Sequence, residues 1–177
     1  MHDTSSTATI RLHIRSRHDE DATMDTTALR DAYEKFFDAA ALPGLGEAAD
    51  GGWDTDQVLA HVLSVDAATA AVALGVVAGA RPAFDNRICL DSGNLDRIIA
   101  EHGGRAELIA RVRAQGEVLC AIAEDLGEES SAVLVPAFLM SGGELLLDQP
   151  VPLAALVTGL AENHLPVHTR QLLDLRT

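Results

Sequence analysis

The amino-acid sequence predicts an all-α protein, a four-helix bundle with up-down-down-up topology. Its 177 residues are 47% hydrophobic but only 3% aromatic, so the core must be built largely of small aliphatic residues, among which Ala and Leu favour helices. Four segments carry apolar residues at spacings of three and four, the period of an amphipathic helix. A long irregular connection after the second segment has the length to cross a whole bundle.

The first two predicted helices have the clearest boundaries. The first covers residues 27–41, after which a stretch rich in Pro and Gly ends the periodic pattern. The second begins at Asp54, which serves as N-cap and forms a capping box with Gln57, while Trp53 is placed to pack against Val58 as a hydrophobic staple. We expect this helix to end near Gly79.

The second half of the chain contains the other two predicted helices. Residues 80–104 form the crossover, with a short helix near residues 94–101, and residues 105–126 form the third helix. Residues 131–149 can make a small hairpin around the turn at Gly142 and Gly143. The fourth helix begins at Pro150 or Pro152 and runs to Leu175, with a kink at Pro166.

Three histidines are the candidate functional residues. His164 and His168 are four residues apart, so both lie on one face of the fourth helix, within its apolar stripe. Such a pair either binds a metal ion or consists of core histidines bonded to backbone carbonyls. His61 is about seven residues from the start of its helix and His168 about seven from the end of the fourth, so antiparallel packing brings both to one level. A third imidazole at that level favours a metal site.

Charge and cysteine content exclude several classes of partner. The chain has 27 acidic and 13 basic residues, a net charge of −14, which argues against nucleic acid and anionic membranes as partners. Cys89 and Cys120 have neither disulfide-framework nor zinc-motif spacing, and no uncharged stretch reaches the roughly 18 residues of a membrane span. We expect a cytoplasmic protein that acts on small molecules, alone or as a homodimer.

The amino-terminal residues differ from the rest of the chain. Residues 1–25 have no continuous apolar segment of the kind found in a secretory signal, and we interpret them as a disordered or artefactual tail. Met24 is an alternative start. The predicted helical domain therefore covers residues 26–177.

Two motifs resemble the DinB-like metalloenzyme superfamily. They are VLAHV at residues 58–62, with a preceding Trp, and HLPVHTRQL at residues 164–172. The superfamily includes thiol-dependent S-transferases and the mycothiol-dependent maleylpyruvate isomerase. The resemblance implies a four-helix bundle over residues 26–177 in which His61, His164 and His168 bind a divalent metal, with zinc favoured over nickel or iron. Arg170 and Gln171 belong to the second motif, although a solvated Arg and a space-filling Gln are the simpler interpretation.

The resemblance also implies a reaction. A small thiol of the mycothiol or bacillithiol type would bind the metal, lose its proton and attack a small electrophilic substrate, giving S-transfer or isomerisation. Two alternatives stay open at this point. One is a non-catalytic metal-binding or stress-response protein whose metal holds two helices together, and the other is a hydrolase that uses metal-bound water.

Overall fold

A computed structural model of the chain describes residues 24–46, 48 and 52–176. The predicted tail, residues 1–25, lies outside this range except for its last two positions. The helices are α1 (Thr27–Ala40), α2 (Thr55–Val77), α3 (Arg87–Leu90), α4 (Ser92–His102), α5 (Arg105–Glu124), α6 (Glu128–Ser131), α7 (Leu153–Gly159) and α8 (Leu165–Asp174), with a π-helical turn at Leu160–His164. The strands are β1 (Phe84–Asp85), β2 (Leu134–Ser141) and β3 (Glu144–Pro152).

The prediction of an all-α four-helix bundle with up-down-down-up topology is wrong, because the protein contains a mixed three-stranded sheet. The predicted hairpin forms, as β2 and β3 pair in antiparallel register from Leu134↔Pro152 to Ser141↔Glu144. Strand β1 pairs in parallel with β2, with Phe84 opposite Ala137. An isolated hairpin is only marginally stable in water. The added strand β1 and a covering layer of helices stabilise the β2–β3 hairpin. Strand β1 has two residues, too few to show an alternating pattern, so its sequence predicted an irregular connection at Phe84.

Helix α2 forms the centre of the core. It packs along α5 and also contacts the sheet and α8, while α1 packs against α8 and the π turn. Five consecutive residues near its start are almost completely buried, which places a histidine inside the protein: Val58, Leu59, Ala60, His61 and Val62. Of the described helices, α2 has the length and composition of a membrane span, and 61% of its most apolar window is buried within the fold, as in a core helix.

The capping box that the sequence predicted at the start of α2 is present. The Asp54 carboxylate accepts a hydrogen bond from the Gln57 backbone N–H at 2.8 Å, and the Gln57 side chain accepts one from the Asp54 N–H at 3.1 Å. These bonds satisfy backbone donors that have no partner within the helix, and they fix where α2 begins. The position of His61, in the second turn, depends on that start.

Loss of this cap will have a moderate effect on stability. We expect Asp54→Ala to lower the free energy of unfolding by about 1 kcal/mol, because Ala leaves the Gln57 N–H without its acceptor. Asp54→Asn, which retains a capping oxygen, will cost much less. Urea unfolding of the two variants and the wild type measures the difference, and equal losses would show that the cap contributes nothing.

The segment predicted as one continuous fourth helix is interrupted. Helix α7 ends at Gly159, the π turn follows, and α8 begins at Leu165. Pro166 has no amide hydrogen to donate to the carbonyl four residues earlier, so regular α-helical bonding fails at this point. A π turn contains one more residue than an α turn, and such turns are frequent at functional sites. His164 is its last residue.

Candidate metal centre

The three predicted histidines meet in the protein interior. Each offers one ring nitrogen to a group of atoms that all lie within 4.8 Å of one another. The ring centroid of His61 lies 5.1 Å from that of His164 and 4.7 Å from that of His168, and the last two are 4.6 Å apart. The predicted meeting of His61 and His168 at one level is therefore confirmed. The three histidines are close enough to hold a metal ion.

Burial keeps these imidazoles neutral. His61 is 3% exposed and His168 is 9% exposed. Burial, together with the neighbouring His168, lowers the pKa of His61 to about 4. The same two causes, with a contribution from His61, hold the pKa of His164 well below its ordinary value, and burial lowers the pKa of His168. Neutral imidazole is the form that binds metals, so protons do not compete for these nitrogens at pH 7.

The hydrogen bonds of His61 fix its tautomer. Its Nδ1 lies 2.7 Å from the carbonyl oxygen of Cys89. A carbonyl only accepts, so Nδ1 carries the hydrogen and Nε2 presents its lone pair to the cluster. The Nε2 of His164 lies 3.0 Å from the Nε2 of His61 and must donate a hydrogen bond to it. The Nδ1 of His164 is then an unprotonated, buried nitrogen with no hydrogen-bond partner among the described residues.

His168 is oriented by Gln171, which follows it by one helical turn. The Nδ1 of His168 lies 2.9 Å from the Oε1 of Gln171. An amide oxygen accepts, so this bond places the hydrogen on Nδ1 and leaves Nε2 free for a ligand. The sequence was compatible with either a functional or a space-filling Gln171 and did not predict this contact. The i, i+3 spacing of His168 and Gln171 on one helix face is the signal that would have indicated it.

The sheet supports the site indirectly, through Asn86 and Cys89. The side chain of Asn86, which follows β1, donates to the carbonyl of Met140 at 2.9 Å and accepts from the Met140 N–H at 2.8 Å. The Asn86 carbonyl in turn accepts from the Cys89 N–H at 3.0 Å, which fixes the short helix α3. Since the Cys89 carbonyl accepts from His61, β2 supports the orientation of a cluster histidine through two intermediate residues.

The single tryptophan lies beside the cluster. The ring centroid of Trp53 is 4.7 Å from that of His61 and 6.3 Å from that of His168. Besides the predicted staple with Val58, which stays a prediction, Trp53 has ring contacts with these two histidines. Because the chain has one Trp, its fluorescence reports directly on this site.

The residues present fit a metal ion. All three donors are neutral imidazoles, and the ring partners, the Cys89 carbonyl and the Gln171 amide, are neutral as well. Hydrogen bonds from ligand histidines to such acceptors are the usual support of a metal site, because they set the tautomer and ring orientation. The unpartnered His164 Nδ1 is a buried nitrogen for which protein groups supply no donor within the described part of the chain. A metal ion bound at this nitrogen would satisfy it, whereas a metal ion bound at Nε2 of His164 would require the hydrogen to move to Nδ1.

Neither cysteine is activated. Cys89 and Cys120 are both buried. Burial raises the pKa of the Cys89 thiol and raises that of Cys120 to about 11. Both side chains are therefore thiols rather than thiolates at pH 7, and thiols are poor nucleophiles.

A buried carboxyl group lies in α2, and sequence reasoning missed it. Asp66 is 0% exposed, and neither of its oxygens has a regular hydrogen bond to a described residue. The hydroxyl of the neighbouring Tyr33 is likewise buried and has no regular hydrogen bond to a described residue. Burial raises the pKa of Asp66 to about 8, although Tyr33 offsets part of the rise. The signal was available, because Asp66 is the single charged residue in the run that follows His61 in α2.

Comparisons of the chain with protein-family models, curated proteins and solved structures give no significant match. The resemblance to the DinB-like superfamily, which depends on two short motifs, therefore stays a prediction. The functional argument depends on the geometry of the three histidines.

Proposed function

We propose that the protein binds a divalent metal, zinc, through His61, His164 and His168, and activates a low-molecular-weight thiol for reaction with a small electrophilic substrate. The product is an S-conjugate or, after elimination of the thiol, an isomer of the substrate. The observation that carries this proposal is the convergence of three neutral imidazoles on one point, two of them with tautomers set by outer hydrogen bonds.

The donor chemistry favours zinc. Imidazole suits zinc, nickel and iron, and zinc binds three histidines in catalytic sites that keep a fourth position for water or substrate. None of the groups hydrogen-bonded to the three rings is a carboxylate. The neutral imidazoles and their partners therefore carry no charge. Nickel and iron are the alternatives for the same ligands.

The state of the two cysteines supports an external thiol. A bound divalent cation stabilises a thiolate, which is the nucleophilic form of sulfur. The sequence has two cysteines, and burial of both raises their pKa values. The nucleophilic sulfur therefore comes from a cosubstrate of the mycothiol or bacillithiol type. Trp53, on one side of the histidines, provides an apolar wall for the substrate.

Membership of the DinB-like superfamily is part of the proposal. Its support is that both motifs carrying the resemblance fall at the histidine cluster, with VLAHV contributing His61 and HLPVHTRQL contributing His164 and His168. The contact between Gln171 and His168 further connects the second motif with the site.

A non-catalytic metal site is the second candidate function. It is favoured by the deep burial of His61 and His168, because a structural site needs no access for substrate. The ligands come from α2 and from the π turn and α8, so a metal would cross-link two distant parts of the chain. Its effect would then be on stability rather than turnover.

Turnover assays distinguish these functions. Zinc-loaded protein is incubated with monochlorobimane or maleylpyruvate, each with mycothiol, with bacillithiol and without thiol, and products are identified by mass spectrometry. The proposal predicts S-conjugates or isomer only when metal and thiol are both present, and their loss in His168→Ala. Turnover without thiol would indicate a hydrolase, and zinc binding without turnover in any arm would indicate the structural site.

A further inference from the structure

We propose that Gln171 is a positioning residue that locks His168 in the Nδ1–H tautomer, and that its neutral amide leaves the charge of the bound ion uncompensated. This inference rests on the metal centre proposed above and goes beyond it, because it concerns how the tautomer of one metal ligand is set. Gln171 itself contributes no metal ligand.

The contact is local and therefore well defined. Gln171 and His168 belong to the same helix, α8, and are separated by one turn. The half-buried Gln171 places its Oε1 2.9 Å from Nδ1 of the buried His168. Residues three apart on a helix lie side by side, so the bond requires no adjustment of another element. The amide oxygen thus selects which ring nitrogen of His168 carries the hydrogen.

The choice of tautomer decides whether His168 can act as a ligand at Nε2. With the hydrogen on Nδ1, the Nε2 lone pair is available on the side of the ring away from Gln171. If the amide were reversed, its N–H would donate to Nδ1 and the hydrogen would move to Nε2, which would block that nitrogen. Free imidazole side chains give no comparable selection, so removal of the acceptor will mix the tautomers.

The neutrality of Gln171 has a separate consequence. A carboxylate at this position would accept the same hydrogen bond but add a negative charge and raise the basicity of the ligand. The other outer acceptor, the Cys89 carbonyl, is also neutral. The Gln171 amide and the Cys89 carbonyl therefore orient the rings without adding negative charge near the ion. An anionic ligand, such as a thiolate, then interacts with the full positive charge of the ion.

The first test reads the tautomer in the metal-free protein by long-range ¹H–¹⁵N NMR, with the His168 signals assigned by their absence in His168→Asn. We expect Nδ1 to be protonated in the wild type. In Gln171→Leu the hydrogen will shift toward Nε2, and in Gln171→Glu it will return to Nδ1. Gln149→Leu, which removes an exposed glutamine of β3, is the matched control and will leave His168 unchanged. A protonated Nε2 in the wild type, or an unchanged tautomer in Gln171→Leu, would overturn the inference.

The second test measures zinc affinity by competition with a chromophoric chelator. Gln171→Leu will bind zinc about 10- to 100-fold more weakly than the wild type, and Gln171→Glu will bind it at least as tightly as the wild type. Equal affinities in the wild type and Gln171→Leu would overturn the role of Gln171 as ligand support. If the wild type binds no zinc while the tautomers respond as predicted, the metal centre fails, and the control of His168 by Gln171 stands as a hydrogen-bonding result.

Discussion

The effect of Asp66→Asn on the free energy of unfolding will be more favourable at pH 8 than at pH 4 by several kcal/mol. The Asp66 carboxyl is completely buried without a regular hydrogen bond to a described residue, and its pKa rises from 3.8 to about 8 on folding. Ionising a carboxyl in such surroundings is costly, since the neighbouring Tyr33 offsets only part of the lost hydration. Asn avoids this cost because it stays neutral at every pH.

The sign of the effect follows from the direction of the pKa change. A carboxyl with a raised folded-state pKa binds its proton more tightly in the folded protein, so its contribution to stability is fully present below pH 3.8 and is lost as the pH rises to about 8. The loss amounts to about 6 kcal/mol at most, because the pKa rises by about 4 units and one unit corresponds to about 1.4 kcal/mol.

Urea unfolding at a series of pH values measures this prediction. The difference in unfolding free energy between Asp66→Asn and the wild type will grow between pH 4 and pH 8 and then level off. Asp96→Asn, which makes the same change at an exposed position of α4, is the matched control. A difference that stays constant with pH for Asp66→Asn would mean that the carboxyl ionises freely in the folded protein.

Zinc will stabilise the wild type strongly, and His61→Ala will lose that stabilisation. A ligand that binds only the folded state contributes about 2.7 kcal/mol when its free concentration is 100 times its Kd. For a domain of this size the corresponding rise in Tm is about 5–10 °C. His61→Ala removes the one ligand that α2 supplies, so the remaining pair no longer connects α2 with α8.

Thermal unfolding with and without zinc, after removal of metal by a chelator, measures the effect. The comparison is made within each variant, so any change in the stability of metal-free His61→Ala does not enter. His102→Ala, which changes a histidine of α4 outside the cluster, will keep the full zinc-induced rise in Tm. An equal rise in His61→Ala would contradict the assignment of His61 as a ligand.

Local sequence signals predicted much of what positions the site. The capping box at Asp54 and Gln57 was visible because it depends on residues three apart, and it fixed the start of α2. The meeting of His61 with His168 followed from their distances to the ends of their helices. Both inferences needed only helical geometry, which is the same in every protein.

Interactions between distant segments explain what was missed. The pairing of Phe84 with Ala137 joins residues far apart in sequence, and a two-residue strand has no pattern of its own, so the sheet was underestimated and the fold class was wrong. The π turn before Pro166 is a local response to a missing amide hydrogen, but its form depends on how α8 packs. The burial of Asp66 was not predicted, because an aspartate is almost never fully buried unless it is paired.

Titration of the metal-free protein with zinc tests whether His61, His164 and His168 form a metal centre. Binding is followed by Trp53 fluorescence and by native mass spectrometry. Trp53 lies 4.7 Å from His61 between ring centroids, so occupation of the site will change its emission. We predict saturation at one zinc ion per chain in the wild type and loss of that ion in His164→Ala and His168→Ala. A wild type that binds no zinc, or variants that bind it with the same stoichiometry and affinity, would contradict a metal centre at these three histidines.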